Sequence, residues 1–199
     1  QFDAQATTHQ QETGWRLPED GAAAVGGMQV RGKLYAFSVG GGCEAVLARG
    51  GRAVPLTREA PYATEPSSST SSSSSSTNPE WSGFGFFSLK RGFTTRPASP
   101  AVPRVSVTAL RPATDTFIVY GSAGLWARLG YQRAVACVER VLAARAASRK
   151  GGDAGGAAAA AEAAAAALVA LAEGGRVRQP LQFTGPQEVT AVVSLLHWH

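Results

Sequence analysis

The order of apolar and polar residues predicts a series of short strands followed by helices. Strands are expected at 22–30, 33–39 and 45–49, where β-branched and aromatic residues lie between glycine turns. Val105, Val107 and Ala109 alternate with polar residues, which indicates a further half-buried strand. The apolar run from Phe117 to Tyr120 has no polar interruption, and this favours a buried strand. A last strand is expected within 189–195.

Two helices are predicted in the C-terminal half. Apolar residues recur at three- and four-residue steps over 131–147, and basic residues gather towards its C-terminal end, which suits the helix dipole. Residues 157–172 are nearly all alanine, the strongest helix former. Because alanine buries little area, we expect only Leu168, Val169 and Leu171 to form a packing face. The first half of this helix is expected to lie on the surface.

Two low-complexity stretches interrupt these elements. Residues 64–80 are rich in Ser and Thr and offer too little apolar area to offset the entropy of ordering, so a disordered loop is expected there. Glycines at 151–156 open an Ala-rich helical insertion, 151–173. The 199 residues otherwise suit one domain with one sizeable core. We therefore predict a single domain over 1–199.

One segment, 116–127, combines a buried strand, a tight glycine turn and the start of a helix. It resembles the metal-dependent protein phosphatases, the PPM or type 2C family of Ser/Thr phosphatases. In that family the turn reads Ser-Asp-Gly-apolar-Trp-Asp, and its first Asp holds a catalytic metal ion. Here the two Asp positions are Ala123 and Ala127. A methyl group cannot coordinate a hard divalent cation, which takes oxygen ligands.

Other segments keep the family's order along the chain. They lie at 20–25, 32–40 with 45–49, 51–59, 84–90 and 189–195. The resemblance implies an α+β fold, an antiparallel β-sandwich flanked by helices. Since the matching order starts partway through the family's domain, the fold is expected to be incomplete at its N-terminus.

The departures from the family fall on its acidic positions. The positions that should be acidic are occupied by Gly41, Phe86, Ala123, Ala127 and Gln187. The early Glu-Asp pair and the Asp-Gly-His-Gly-Gly segment of the family occur nowhere in this sequence. The family would use two Mg or Mn ions to activate a bridging water, which requires several converging carboxylates. The sequence therefore predicts no catalytic, cofactor-binding or metal-binding residue.

The partners expected are other protein subunits that complete the interrupted sandwich, because exposed sheet edges are normally covered. Trp81, Phe84 and Phe86 are candidate partner contacts, with core packing as the alternative. The net charge of +5 is mild. Basic residues at 91, 96, 104 and 111 allow weak RNA contact, or form a solvated surface.

Cysteine usage and hydropathy bear on the compartment. Cys43 and Cys137 lie far apart without spaced His or Cys partners, which favours reduced intracellular thiols over a zinc site or a disulfide framework. No membrane span and no signal peptide are expected. The predicted location is intracellular: cytoplasmic, including cytoskeletal or ciliary, or organellar.

Three functions remain open at this stage. The first is a catalytically inactive phosphatase-like domain that acts as a structural or protein-binding subunit of a larger assembly. The second is an active metal-dependent Ser/Thr phosphatase whose missing ligands come from outside this segment. The third is a pseudoenzyme that still recognises phosphorylated protein through its arginines.

Overall fold

A computed structural model describes residues 21–40, 42–57, 84–85, 103–148, 156–175 and 188–198. The elements in these ranges are β1 (Gly21–Ala22), β2 (Ala24–Val30), β3 (Lys33–Val39), β4 (Glu44–Arg49), β5 (Arg52–Pro55), β6 (Phe84–Gly85), β7 (Arg104–Ala109), β8 (Asp115–Gly121), α1 (Ala123–Leu129), α2 (Tyr131–Ser148), α3 (Gly156–Glu173) and β9 (Ala191–Leu195). The predicted Ser-rich loop at 64–80 and the positions Gly41, Trp81, Phe86 and Gln187 lie outside the described residues.

The strands form two main sheets. One sheet has the order β5-β4-β8-β9, and the other has the order β2-β3-β7. Both belong to one compact unit that comprises Val25–Ser38, Gly42–Thr57 and Arg104–His199. Outside that unit, β1 pairs with β6, where Ala22 lies opposite Phe84. The predicted class, α+β with an antiparallel β-sandwich flanked by helices, is confirmed.

The register of β4 and β8 places their central apolar residues side by side. Val46 lies opposite Val119, and Leu47 lies opposite Ile118. Successive side chains of a strand point to opposite faces of the sheet. Alternate residues of each strand therefore face the second sheet, and the others face the helices. Leu47 and Ile118 pack with Leu34 of β3 in the core between the two sheets. The predicted buried strand is therefore confirmed, with Phe117, Ile118 and Val119 fully buried.

The other face of the four-stranded sheet is covered by helices. Val46 and Val119 pack there with Leu125 of α1, Val135 of α2 and Leu168 of α3. All five side chains are buried. The helix predicted at 131–147 is confirmed as α2, and the helix predicted at 157–172 is confirmed as α3.

The packing face of α3 differs from the prediction. Its buried residues recur every fourth position, at Ala160, Ala164, Leu168 and Ala172. Leu168 was expected there, whereas Val169 and Leu171 are only half-buried. The expected surface position of the first half is wrong, because Ala160 and Ala164 are buried. Small side chains let a helix axis approach its neighbour closely, so alanine packs well despite its small area.

Helix α3 is also relevant to the prediction that the chain has no membrane span. By length and composition alone, α3 could cross a bilayer, since its mean hydropathy is 1.4 over 18 residues. Core helices of soluble proteins share these properties, and Ala164, Leu168 and Ala172 pack in the helix–sheet core. The absence of a membrane span stays a prediction.

Candidate functional site

The candidate site lies where β8 ends and α1 begins. Gly121 ends the strand, and Ser122 caps the helix by accepting a hydrogen bond from the Leu125 backbone N–H, at 3.4 Å from Oγ. Serine is favoured at this position because its hydroxyl satisfies an otherwise unpaired amide of the first helical turn. A Cβ added to Gly121 would lie 2.5 Å from Leu125 Cδ2 and 2.8 Å from Trp126 Cε2. Glycine thus permits the close approach of strand and helix.

Ala123, the first residue of α1, packs against the turn between β3 and β4. A Cβ added to Gly42 would lie 2.5 Å from the Ala123 Cβ, so the methyl group sits directly over the Gly42 backbone. Gly42 has φ +76°, a conformation that side chains rarely adopt. Ala127, one turn further along α1, is buried. Both described positions of the expected acidic set are therefore apolar and closely packed.

The segment that precedes β9 is tied to the same turn through Ser122. The Ser122 hydroxyl donates to the Glu188 carbonyl at 2.9 Å and accepts from the Thr190 backbone N–H at 3.0 Å. The Ser122 backbone N–H donates to the Thr190 carbonyl at 3.0 Å. Glu188 follows Gln187 in sequence, and Gly42 follows Gly41. Gly41 and Gln187 are two further positions where the resemblance predicts acidic residues. Their sequence neighbours Gly42 and Glu188 both contact the start of α1.

Cys43 is a half-buried thiol beside this turn. Burial raises its pKa above the ordinary value of 9.0, and the Glu44 carboxylate raises it further, against a lowering hydrogen bond from the Ala123 backbone. The thiol is therefore protonated at neutral pH. Since the thiolate is the nucleophilic form, Cys43 is not poised for nucleophilic attack.

Glu44, the first residue of β4, accepts hydrogen bonds from two aromatic side chains, one at its carboxylate and one at its backbone carbonyl. The Tyr131 hydroxyl hydrogen-bonds to the Glu44 carboxylate. The Trp126 indole N–H is shared between the carbonyls of Glu44, at 3.2 Å, and Gly121, at 3.0 Å. The rings of Trp126 and Tyr131 meet edge to face with centroids 5.1 Å apart. Sequence reasoning did not select Ser122, Glu44 or Tyr131 as site residues.

An open groove of about 470 Å³ lies next to the Ser122 contacts. It is lined by Arg128, Glu173, Glu188, Val189 and Thr190. Arg128 donates from Nη1 to the Gly124 carbonyl at 3.0 Å. Within the described ranges, no three His, Cys, Asp or Glu side chains gather closely enough to hold a metal ion. Ala123 and Ala127 offer no side-chain oxygen to a cation, and the absence of a metal cofactor stays a prediction.

Comparison with known proteins supports the fold. The sequence model of the family protein phosphatase 2C matches residues 83–170. A sex-determining protein of C. elegans is similar in structure, with TM-score 0.60 and 12% identity over 98% of this chain and 44% of that one. A variant of a bacterial serine phosphatase has TM-score 0.51 and 12% identity over 98% of this chain and 62% of that one. No curated protein sequence matches the chain.

The chain thus has a protein phosphatase 2C-like fold, and the predicted resemblance is confirmed. It spans 44% and 62% of the lengths of these two solved structures, so it corresponds to part of each.

The structure describes some of the other predicted residues and not the rest. Ala123 and Ala127 lie at the candidate site, whereas Gly41, Phe86, Gln187 and Trp81 fall outside the described residues. Of Phe84, only its place in β6 is described, so the aromatic partner contacts stay a prediction. Arg104 begins β7, and Arg111 donates its backbone N–H to Asp115. RNA contact also stays a prediction.

Proposed function

We propose that this chain is a catalytically inactive protein phosphatase 2C-like domain that serves as a structural or protein-binding subunit of a larger assembly. The observation that carries the proposal is the contact between the Ala123 methyl group and the Gly42 backbone. It occupies the position where the family would place a metal-binding carboxylate. The fold is retained there, and apolar packing has replaced the oxygen ligands.

The surroundings of this contact support the same reading. Ala127 is buried, and an isolated carboxylate in a buried position would be strongly disfavoured. Ser122 uses its hydroxyl for three hydrogen bonds within the protein, to Glu188, Thr190 and Leu125. These contacts hold the turn and the start of β9 together, which is a structural role.

The proposal includes an intracellular location. Cys43 and Cys137 are both free thiols, as intracellular proteins commonly have. Burial raises the pKa of the Cys137 thiol, so it is protonated and unreactive at neutral pH. The particular compartment and assembly are open.

The test is hydrolysis of a phosphoserine peptide by the purified chain during titration with Mg²⁺ and with Mn²⁺. We expect no metal-dependent turnover above the protein-free rate, because Ala123 and Ala127 stand where the family would place metal-site carboxylates. Thermal unfolding at each metal concentration gives an independent reading, since a specifically bound ion would raise the melting temperature. A Glu162→Gln variant, which removes an exposed carboxylate from α3, is the matched control for weak binding of metal ions to surface carboxylates. Turnover that depends on metal would refute the proposal and favour an active phosphatase.

A further inference from the structure

Connections from both main sheets meet at one end of the compact unit and bring basic residues together there. The β2–β3 turn and the β4–β5 turn each have a two-residue loop, and a short segment joins β7 to β8. Exposed basic residues lie in or beside each of these three connections. We call them the basic end: Arg31, Lys33, Arg52 and Arg111.

Backbone hydrogen bonds hold the three connections side by side. The Leu110 N–H donates to the Gly32 carbonyl at 2.8 Å, and the Gly50 N–H donates to the Thr114 carbonyl at 2.8 Å. The segment between β7 and β8 is therefore tied to the hairpin turn of each sheet. The basic end is one continuous surface, although its residues are distant in sequence.

The charges of the basic end have no carboxylate partner in the described part of the chain. Of the acidic residues nearby, Asp115 is fully buried and paired with Arg49. Glu139 of α2 lies beside the β4–β5 turn, where its Oε1 would be 3.7 Å from a Cβ added to Gly51. The whole chain has 19 Lys and Arg residues against 14 Asp and Glu, so its own carboxylates cannot neutralise all of its cations. An anionic partner is therefore favoured at this end.

Arg31 keeps a backbone conformation that its residue type disfavours. Its φ is +48° and that of Gly32 is +72°, as in a type I′ turn, where Asn and Gly are preferred. Among the described residues, Arg31 is the one non-glycine residue with positive φ. The β4–β5 turn has Gly50 and Gly51 at the corresponding positions. Strained residues cluster at functional sites, which indicates that the Arg31 side chain has a role in binding.

The composition of the basic end favours nucleic acid among anionic partners. Between its cations the described connections expose only Gly, Pro, Ala and Thr residues. Protein–protein interfaces instead have an apolar centre with aromatic residues, and membrane-binding surfaces insert large apolar side chains. Interfaces with nucleic acid are more polar and more positively charged. Arginine, which supplies three of the four cations, also binds phosphate through paired N–H groups.

We propose that the basic end binds the phosphate backbone of a single-stranded nucleic acid. A flexible strand can bend to bring successive phosphates to the turns of both sheets, whereas a duplex is stiff over about 150 base pairs. The surface lies about 20 Å from the candidate functional site, since the whole of β8 separates them. This inference goes beyond the proposed function and does not depend on it.

The experiment measures binding of the full chain to a labelled oligouridine of about 15 nucleotides by fluorescence anisotropy. A plot of the logarithm of the association constant against the logarithm of salt concentration should have a slope of about −3, because four phosphate contacts each contribute about −0.7 on a single strand. Oligothymidine of the same length should bind with similar affinity, since phosphate is the group that both strands share. A duplex of the same length should bind less tightly.

A triple variant localises the binding. Arg31→Gln with Lys33→Gln and Arg52→Gln should weaken oligouridine binding by at least about tenfold at about 50 mM salt and reduce the magnitude of the slope by about 2. None of these three side chains forms a hydrogen bond in the described part of the chain, so the fold should persist. Circular dichroism checks this.

The matched control removes the same charge from another surface. Arg133→Gln with Arg140→Gln and Arg145→Gln changes three exposed arginines of α2. Its net charge equals that of the first triple variant, but it should change the affinity by less than about threefold, because these arginines lie outside the phosphate contacts.

A single substitution tests why Arg31 is kept in its strained turn. Arg31→Asn should raise the melting temperature, because Asn suits a type I′ turn, and should reduce the magnitude of the salt slope by about 0.7. Lys33→Gln removes the same charge outside the turn loop, so it should weaken binding without raising the melting temperature. Unchanged affinity of Arg31→Asn would exclude Arg31 from the binding surface.

The other outcomes overturn the inference. No binding up to about 100 μM protein, or an equal loss in the α2 control, would show that the basic end is only a solvated surface. Tighter binding of the duplex would assign the surface to double-stranded nucleic acid. Tighter binding of a polyglutamate peptide, or of anionic vesicles, would assign it to an acidic protein or to a membrane. The phosphatase assay does not use this surface, so each test can fail without the other.

Discussion

Arg49 and Asp115 form a two-point ion pair at the end of the four-stranded sheet. Arg49 Nε lies 2.7 Å from Asp115 Oδ1, and Arg49 Nη2 lies 2.9 Å from Asp115 Oδ2. The Asp115 side chain is fully buried, whereas that of Arg49 is 20% exposed. Arg49 also donates to the Ala109 carbonyl at 2.9 Å, and Asp115 accepts from the Arg111 backbone N–H at 2.8 Å. The pair thus joins the ends of β4, β7 and β8, which come from both sheets.

Replacement of Arg49 should destabilise the fold strongly. An Arg49→Met variant leaves the Asp115 carboxylate buried without its cation, and such losses cost about 3 kcal/mol or more. Urea denaturation followed by tryptophan fluorescence measures the change in the free energy of unfolding. Arg52→Met is the matched control, because Arg52 lies opposite Arg49 in the β4–β5 pair but is exposed. Similar losses in both variants would contradict the structural role of the pair.

Stability should fall in acid because of Asp115. Burial alone would raise its pKa, but the hydrogen bonds from Arg49 and Arg111 and the Arg49 charge together lower it below the ordinary value of 3.8. A carboxyl group whose pKa is lower in the folded state stabilises the fold fully above its unfolded pKa. That contribution is lost as pH falls from about 4 through the lowered folded value. Unfolding free energies measured across this range should therefore decline.

The variant Asp115→Asn tests which group is responsible for this decline. It should be less stable at neutral pH, and the difference from the unmodified chain should shrink as the medium is acidified. Glu162→Gln, on the exposed face of α3, should leave the acid dependence unchanged. A difference between the chain and Asp115→Asn that stays constant with pH would assign the acid sensitivity to other groups.

The strands were predictable where their local pattern matched their burial. The prediction at 33–39 coincides with β3, in which Leu34 and Ala36 are buried. The alternation at 105–109 locates β7 but not its buried face, because Val105 and Val107 are exposed whereas Ser106 and Thr108 are half-buried. The Arg49–Asp115 pair could not be predicted, because its residues are 66 positions apart and only the fold brings them together. The prediction for α3 was wrong because it ranked residues by side-chain area. The close approach of the helix to the sheet determines which of its residues are buried. In a tight helix–sheet contact, Ala164 is buried as completely as Leu168.

The candidate site was found through the apolar residues that stand where the resemblance predicts carboxylates. Ala123 and Ala127 followed from this comparison of residue types, which needs no knowledge of three-dimensional contacts. The hydroxyl of Ser122 was not assigned a role, since its partners Glu188 and Thr190 lie 66 and 68 residues away. Only the fold brings the start of α1 and the segment before β9 together.

Loss of the Ser122 hydroxyl should loosen the start of β9. A Ser122→Ala variant removes the helix cap and two long-range hydrogen bonds, and we expect a loss of about 2 kcal/mol in unfolding free energy. Amide hydrogen exchange at Thr190 should accelerate, because its N–H donates to the Ser122 Oγ. Ser194→Ala on the same strand is the control, since Ser194 is exposed. Unchanged exchange at Thr190 would show that this hydrogen bond does not hold the segment.

The contact between Gly42 and Ala123 can be measured with two glycine substitutions. Gly42→Ala combines a strained backbone, φ +76°, with a Cβ placed 2.5 Å from the Ala123 Cβ. Gly32→Ala shares the strain, φ +72°, but its added Cβ meets nothing within 4 Å. Strain of this kind costs about 1 kcal/mol, so Gly32→Ala should lose that amount and Gly42→Ala about 1 to 3 kcal/mol more.

The excess loss should depend on the Ala123 side chain itself. In a double-mutant cycle, Ala123→Gly should cost less in the Gly42→Ala background than in the unmodified chain, because it removes the atom that the new methyl group meets. Thermal and urea unfolding of the four proteins give the coupling free energy. A coupling of zero, or equal losses for Gly42→Ala and Gly32→Ala, would mean that Ala123 does not pack over the turn. The apolar contact that stands in the place of a metal-binding carboxylate would then be absent, and with it the observation that carries the proposed function.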